Sequence, residues 1–127
     1  MKDVVIDTNV FVRHFIGDIP LQFEEVEEFL VKVEKREATA FVSILVINEL
    51  IWILEKYYKV ERSKYMPELI KLLALRNFRC IEVKKGLILS VFESMQKKKI
   101  DFTDVYLFHI AKKRKIFSFD NDFEKLS

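Results

Sequence analysis

Short runs of Val, Ile and Phe recur along this chain, with helix-length amphipathic stretches between them. That alternation constrains the fold more than any other feature. Strands that alternate with helices build an α/β domain around a parallel sheet. Lys2–Asp7 reads as the first strand, mostly Val and Ile, and central in the sheet. Ala38–Ser43, Arg79–Val83 and Lys115–Phe119 read as the second, third and fourth. Helices are predicted over Asn9–Ile16, from Pro20 to near Arg36, from Ser43 to about Tyr58, over Arg62–Leu75, from Lys85 to Lys97, and from Asp101 or Thr103 to about Arg114. Asn121–Ser127 reads as a closing turn or short helix. Gly17-Asp18 breaks the first helix, and Pro20 suits the start of the second.

The 127 residues fit one domain, 1–127, large enough for a real core. Two Gly and two Pro leave little room for long loops or glycine-rich phosphate cradles. The single Cys80 excludes an internal disulfide and fits a reducing, cytoplasmic setting. No signal-peptide pattern precedes the first strand. The longest nearly uncharged stretch, Ala38–Leu54, is 17 residues long, short of the ~20 that a membrane span needs, and it contains Glu49. It reads as a buried strand plus a buried helix, and no membrane partner is expected.

Five carboxylates stand in apolar settings. Asp7 ends Val4-Val5-Ile6, and Glu49 is the only charge in Ala38–Leu54. Asp104 opens Val105-Tyr106-Leu107-Phe108, and Asp120 and Asp122 follow Ile116-Phe117-Ser118-Phe119. Burying an isolated carboxylate costs several kcal/mol or more, so these groups need partners. Ligands of open parallel sheets bind beyond the carboxyl ends of the strands, where Asp7 and Asp120 fall. If the five converge, a hard cation such as Mg²⁺ or Mn²⁺ is the natural counter-charge. Each also has a plain structural alternative. Asp7 could cap a helix, and Glu49 could pair with a buried Lys or Arg. Asp104 could answer the helix dipole, and Asp120-Asn121-Asp122 could be a turn.

Net charge is +2, but it is unevenly spread. Residues 1–37 carry five basic and nine acidic side chains, a net of −4. Residues 96–115 carry seven basic and two acidic, a net of +5. A basic segment bracketing a carboxylate fits a polyanionic substrate, although a solvated helix end explains it too. Tyr57-Tyr58 and Tyr65, near Lys56 and Lys59, could stack on bases. Other chemistries lack their residues. His14 and His109 have no zinc-ligand spacing, and His109 points roughly 140° from Asp104 around a helix. No Gly-x-Ser-x-Gly elbow or phosphate-binding GxxxxGK[ST] loop is present. A haloacid-dehalogenase-type phosphatase needs a second Asp where Asn9 stands, and a receiver-like phosphoacceptor needs an acid pair after strand one.

Val4-Val5-Ile6-Asp7-Thr8-Asn9 resembles the opening strand and Asp-Thr/Ser-Asn turn of PIN-domain nucleases. Asn48-Glu49-Leu50 resembles their acidic residue after the second strand. Ile100-Asp101-Phe102-Thr103-Asp104-Val105 resembles their hydrophobic-x-x-x-Asp-Ala stretch, with Val105 in place of the small Ala. Phe117-Ser118-Phe119-Asp120-Asn121-Asp122-Phe123 resembles the closing Thr-x-Asp-x-Asp-Phe, with Ser118 keeping the hydroxyl. The resemblance spans nearly the whole chain in order, and its layout is similar to VapC-type toxins of prokaryotic toxin–antitoxin pairs.

The resemblance implies a three-layer α/β/α domain with a parallel sheet of about four to five strands. It implies metal-dependent hydrolysis of RNA phosphodiesters, with Asp7, Glu49, Asp104 and Asp120 as catalytic acids and Asp122 as a further metal ligand. Thr8, Asn9 and Ser118 would orient the carboxylates. Lys97, Lys98, Lys99, Lys112, Lys113 and Arg114 would contact RNA phosphates. The cofactor would be Mg²⁺ or Mn²⁺, and the partners RNA, a cognate antitoxin and a second copy of the chain. A non-catalytic PIN-like binding module and a DNA-directed flap-type nuclease are the alternatives.

Overall fold

The computed structural model describes residues 2–127. Three strands form one parallel sheet in the order β1 (Lys2–Val5), β2 (Ala38–Val42), β3 (Phe78–Cys80). Lys2 lies opposite Ala38 and Val5 opposite Phe41, while Ala40 faces Phe78 and Val42 faces Cys80. Six α-helices accompany the sheet among the described residues. They are α1 (Thr8–Ile16), α2 (Pro20–Glu34), α3 (Ile44–Trp52), α4 (Arg62–Ala74), α5 (Lys85–Lys97) and α6 (Phe102–Ala111). None is long and apolar enough to cross a membrane. Parallel neighbours cannot be joined by a tight turn, and here helices carry each crossover. The result is the α/β architecture that the alternation predicts.

Local chemistry sets the helix ends. Asp7 caps α1 through its carboxylate, and Gly17 closes it in the left-handed region, φ 67°, which a glycine adopts without strain. Pro20 starts α2, where its missing N–H is no loss. Ser43 caps α3, its Oγ accepting from the Leu45 amide at 3.2 Å. Beyond Trp52 the helix continues as a π-helical turn, Ile53–Tyr57, closed by the Tyr58 amide donating to the Ile53 carbonyl at 3.0 Å. Such turns insert an extra residue and mark functional or strained stretches.

The core gathers on β2 and the helices around it. Ala40 and Val42 are wholly buried, as are Leu50, Leu54, Met66, Leu69, Leu73, Phe78, Ile88, Val91, Phe92 and Val105. Small alanines on β2 let helices approach the sheet closely. Val26 and Val33 bury one stripe of α2, and Phe29 and Leu30 pack half-buried beside it.

Two expectations about the sheet are corrected. β2, not β1, is central among the described strands, and β1 lies at the edge. Residues 115–119 form no strand, so among the described residues the sheet has three strands rather than four to five. Lys112, at φ 56° and ψ −113°, ends α6, and the chain beyond it joins no ladder. Phe117 and Phe119 are 91% and 95% exposed and pack edge-to-face on each other, ring centroids 5.7 Å apart. Alternating apolar residues show what a strand could bury; pairing is decided by tertiary contacts.

Candidate metal centre

Asp104 occupies the first turn of α6, where the helix's partial positive charge favours a carboxylate. Asp120 caps a 3-10 turn, Asn121–Lys125, its Oδ1 accepting from the Asp122 amide at 2.8 Å. The Asp120 amide in turn donates to Ser118 Oγ at 3.0 Å. These two local bonds shape the turn that brings Asp120 and Asp122 to Asp104. One oxygen from each of the three lies within 4.8 Å of the others. Burial pushes the Asp104 carboxyl up, and the charges of Asp120, Asp101 and Asp122 push it further. One cation is built in: Lys125 Nζ lies 3.1 Å from Asp122 Oδ1.

Asp7 and Glu49 lie outside that group of three but connect to its surroundings. Asp7 Oδ1 accepts from the Thr8 amide at 2.8 Å. Thr8 is buried, and its hydroxyl donates to Glu49 Oε1 at 2.5 Å. The next residue back, Asn48, accepts from the Thr103 hydroxyl at 3.2 Å. Thr8, Asn48-Glu49 and Thr103 thus link α1, α3 and α6 in a chain that ends beside Asp104.

The premise of burial is corrected. Asp7, Glu49 and Asp120 are exposed, and Asp104 and Asp122 are half-buried. Glu49 is lone among apolar neighbours in sequence because α3 has an apolar solvent face. Leu45, Asn48, Glu49 and Trp52 share that face, with Leu45 74% and Trp52 60% exposed. Thr8 meets a carboxylate, whereas Ser118 accepts from a backbone amide. Asn9 is exposed in the first turn of α1. Lys97 ends α5, Lys98 and Lys99 follow it, and Lys112, Lys113 and Arg114 follow α6, all exposed.

Two arrangements escaped the sequence reading. Lys125 is signalled only by its spacing three residues after Asp122. His14 bridges Glu27 at 2.5 Å and Glu68 at 2.7 Å, tying α1 to α2 and α4. Nothing in the spacing of residues 14, 27 and 68 announces that. His109 bonds the Val105 carbonyl of its own helix at 2.9 Å, in keeping with a structural role.

The donor set fits a hard divalent cation. Three carboxylate oxygens within a few ångströms, one of them held above its ordinary pKa first by burial and then by its acidic neighbours, concentrate negative charge that Lys125 offsets only in part. Mg²⁺ and Mn²⁺ favour such oxygen ligands. The sequence model of the PIN domain matches residues 4–127, a span that holds every acid described above. No curated protein and no solved structure matched the chain.

Proposed function

We propose, starting from the chain's membership of the PIN-domain family, that it is a metal-dependent endoribonuclease. PIN domains are usually nucleases and generally use divalent metal ions. The observation that carries the proposal is the convergence of Asp104, Asp120 and Asp122 within 4.8 Å. These three would hold Mg²⁺ or Mn²⁺ directly, with Asp7 and Glu49 contributing through water. When bound, such an ion supplies Lewis acidity, acidifying water and offsetting charge on a phosphate.

The chain's own residues do the rest. Thr8 fixes the Glu49 carboxylate by a short hydrogen bond. Thr103 and Asn48 hold α6 against α3, so that Asp104 keeps its place relative to Glu49. Lys125 neutralises part of the Asp122 charge. Lys97–Lys99 and Lys112–Arg114 hold phosphates that flank the cleaved bond, by charge rather than by reading bases.

The finer reading is that the protein is the cytoplasmic toxin of a prokaryotic toxin–antitoxin pair. It rests on likeness of layout to VapC-type toxins. The exposed apolar face of α3, with Leu45 and Trp52, supports a protein partner, either an antitoxin or a second copy. An adjacent small reading frame whose product suppresses the activity is the expected observation.

The test of the enzyme is RNA cleavage with Mg²⁺ or Mn²⁺ against an EDTA control. Cleavage should need the metal and fall at least about 100-fold in Asp104→Asn, since loss of residues that merely support ligands already costs about 10–100-fold. Binding of RNA without cleavage, at any metal concentration, would establish the non-catalytic alternative. A preference for flapped DNA would establish the other.

A further inference from the structure

A groove of about 1070 Å³ runs between the π-helical end of α3 with the start of α4 and the C-terminus of α5 with the loop into α6. Lysines line both walls: Lys56 and Lys59 on one, Lys97, Lys98 and Lys99 on the other. All five are exposed. Of the three carboxylates in the lining, Glu55 is bound to Arg62 at 2.8 Å. Glu61 and Asp101 remain, so the lysines leave an excess of three positive charges. Lys97 also meets Glu93 at 3.6 Å, but both are more than two-thirds exposed and the pair is weak.

The groove is held in shape from beneath. The Arg62 guanidinium donates to the carbonyls of Met95 at 3.2 Å, Lys98 at 3.3 Å and Ile100 at 3.0 Å. Its other nitrogens grip both Glu55 oxygens, at 2.8 and 3.2 Å. One side chain therefore fixes the Lys97–Lys99 wall against the π-helical wall, and little ordering remains to be done on binding. Tyr57 lies outside the groove lining but stands in the chain between Lys56 and Lys59, on the same π-helical turn as Lys56; it is 71% exposed and braced edge-on by Tyr58 at 4.8 Å. At its other end the lining reaches Asp101, three residues before Asp104.

We propose that this groove binds a single strand of RNA, the lysines of both walls holding successive phosphates and Tyr57 stacking on a base. A charged groove with an aromatic platform is how single strands are bound without sequence preference. The alternative occupant is an acidic protein segment. Tight protein contacts centre on desolvated apolar or aromatic anchors, and lysines dominate these walls instead. The choice of RNA rests on the nuclease reading of the adjoining carboxylates; binding itself requires neither metal nor cleavage.

The test is fluorescence anisotropy of the full chain with a labelled oligouridylate of about 12 nucleotides, in EDTA, from about 50 to 200 mM salt. The triple variant Lys56→Ala, Lys59→Ala, Lys98→Ala should bind at least about tenfold more weakly. Its salt slope should flatten by about 2, given ~0.7 per phosphate contact on a single strand. Tyr57→Ala should weaken binding at least about fivefold without changing the slope. Lys32→Ala, Lys35→Ala, Arg36→Ala, at the far end of α2, should change neither. Matching thermal melts exclude misfolding as the cause. Unchanged affinity in the triple variant overturns the groove. So does displacement of the oligonucleotide by poly-glutamate as readily as by unlabelled oligouridylate, which would mark a protein site. RNA that binds through the groove but is never cleaved leaves this inference standing and removes the nuclease reading. Cleavage that persists with a silent groove does the reverse.

Discussion

Asp104 and Asp7 carry comparable charges in different surroundings, and substituting each separates two physical roles. The Asp104 carboxyl is held above its ordinary value of 3.8, first by burial and then by Asp120, Asp101 and Asp122. A raised folded-state pKa in an acid means the folded chain binds the proton more tightly than the unfolded one. The contribution to stability is present below the unfolded pKa and is lost as pH rises through the folded one. Asp104→Asn removes the repulsion, so in EDTA at neutral pH it should melt above wild type. That advantage should vanish below about pH 4, where Asp104 is protonated. Melting curves across pH check this, and equal curves at pH 7 would mean that the cluster is already compensated. Asp7 acts as a helix cap, bonding the Thr8 amide at 2.8 Å. Asn caps as well as Asp does, whereas Ala lacks the oxygen. Asp7→Ala should therefore cost ~1 kcal/mol relative to Asp7→Asn. Both should lose metal-dependent cleavage if the charge of Asp7 serves the site, and urea titration beside the nuclease assay separates the two effects.

Elements were legible where their determinants are local. α5 occupies the predicted Lys85–Lys97, and α2 begins at the predicted Pro20, because periodicity and caps are read along the chain. The strand expected over 115–119 does not form because a ladder needs a distant partner, which alternation of Phe117 and Phe119 cannot supply. The same limit applied to the candidate site. Asp104, Asp120 and Asp122 were identifiable from motifs, but Thr103–Asn48 and Arg62–Ile100 join residues 55 and 38 apart. The Arg62 staple illustrates what such contacts contribute. Burial pushes Glu55 up, but hydrogen bonds from Arg62 and Tyr65 and the charges of Arg62 and Lys56 hold it below its ordinary value. The pair is largely shielded, with 19% and 16% of the side-chain surfaces exposed. A depressed pKa contributes stability above the unfolded value of about 4.5, lost as pH falls through the folded value. Arg62→Met should cost about 2–3 kcal/mol, less than the ~3–5 of a fully buried pair, by leaving the Glu55 charge with the Tyr65 hydroxyl but no guanidinium beside it. The variant should also lose this component of acid sensitivity below pH 4.5. An Arg62→Met protein as stable as wild type in urea would show that the three carbonyls find other donors.

At the scale of the whole molecule, the charge distribution couples folding to a cation. Residues 1–37 are net negative and residues 96–115 are net positive; of the three clustered carboxylates, Asp104 lies within the positive segment and Asp120 and Asp122 follow it. Among the described residues only Lys125 offsets them directly, and it reaches one of the three. Without a metal, the repulsion is a cost borne by the folded state alone, since the unfolded chain lets residues 104, 120 and 122 separate. A divalent ion that binds only the folded chain should stabilise it by mass action, about 2.7 kcal/mol at a hundredfold excess over its Kd. For a domain of this size that is a rise in Tm of about ten degrees. Asp104→Asn and Asp120→Asn should each shrink the rise, because both lower the affinity while the fold survives. Lys125→Ala should leave Asp122 free for the ion and enlarge the rise, although the metal-free variant melts lower than wild type. The measurement is thermal unfolding of all four proteins in EDTA and then in Mn²⁺. A metal-induced shift that is the same in all four would place Mn²⁺ elsewhere on the surface and dissolve the proposed centre. A shift confined to wild type and Lys125→Ala, and larger in the latter, would make the tri-carboxylate site the point where cation binding, fold stability and cleavage meet.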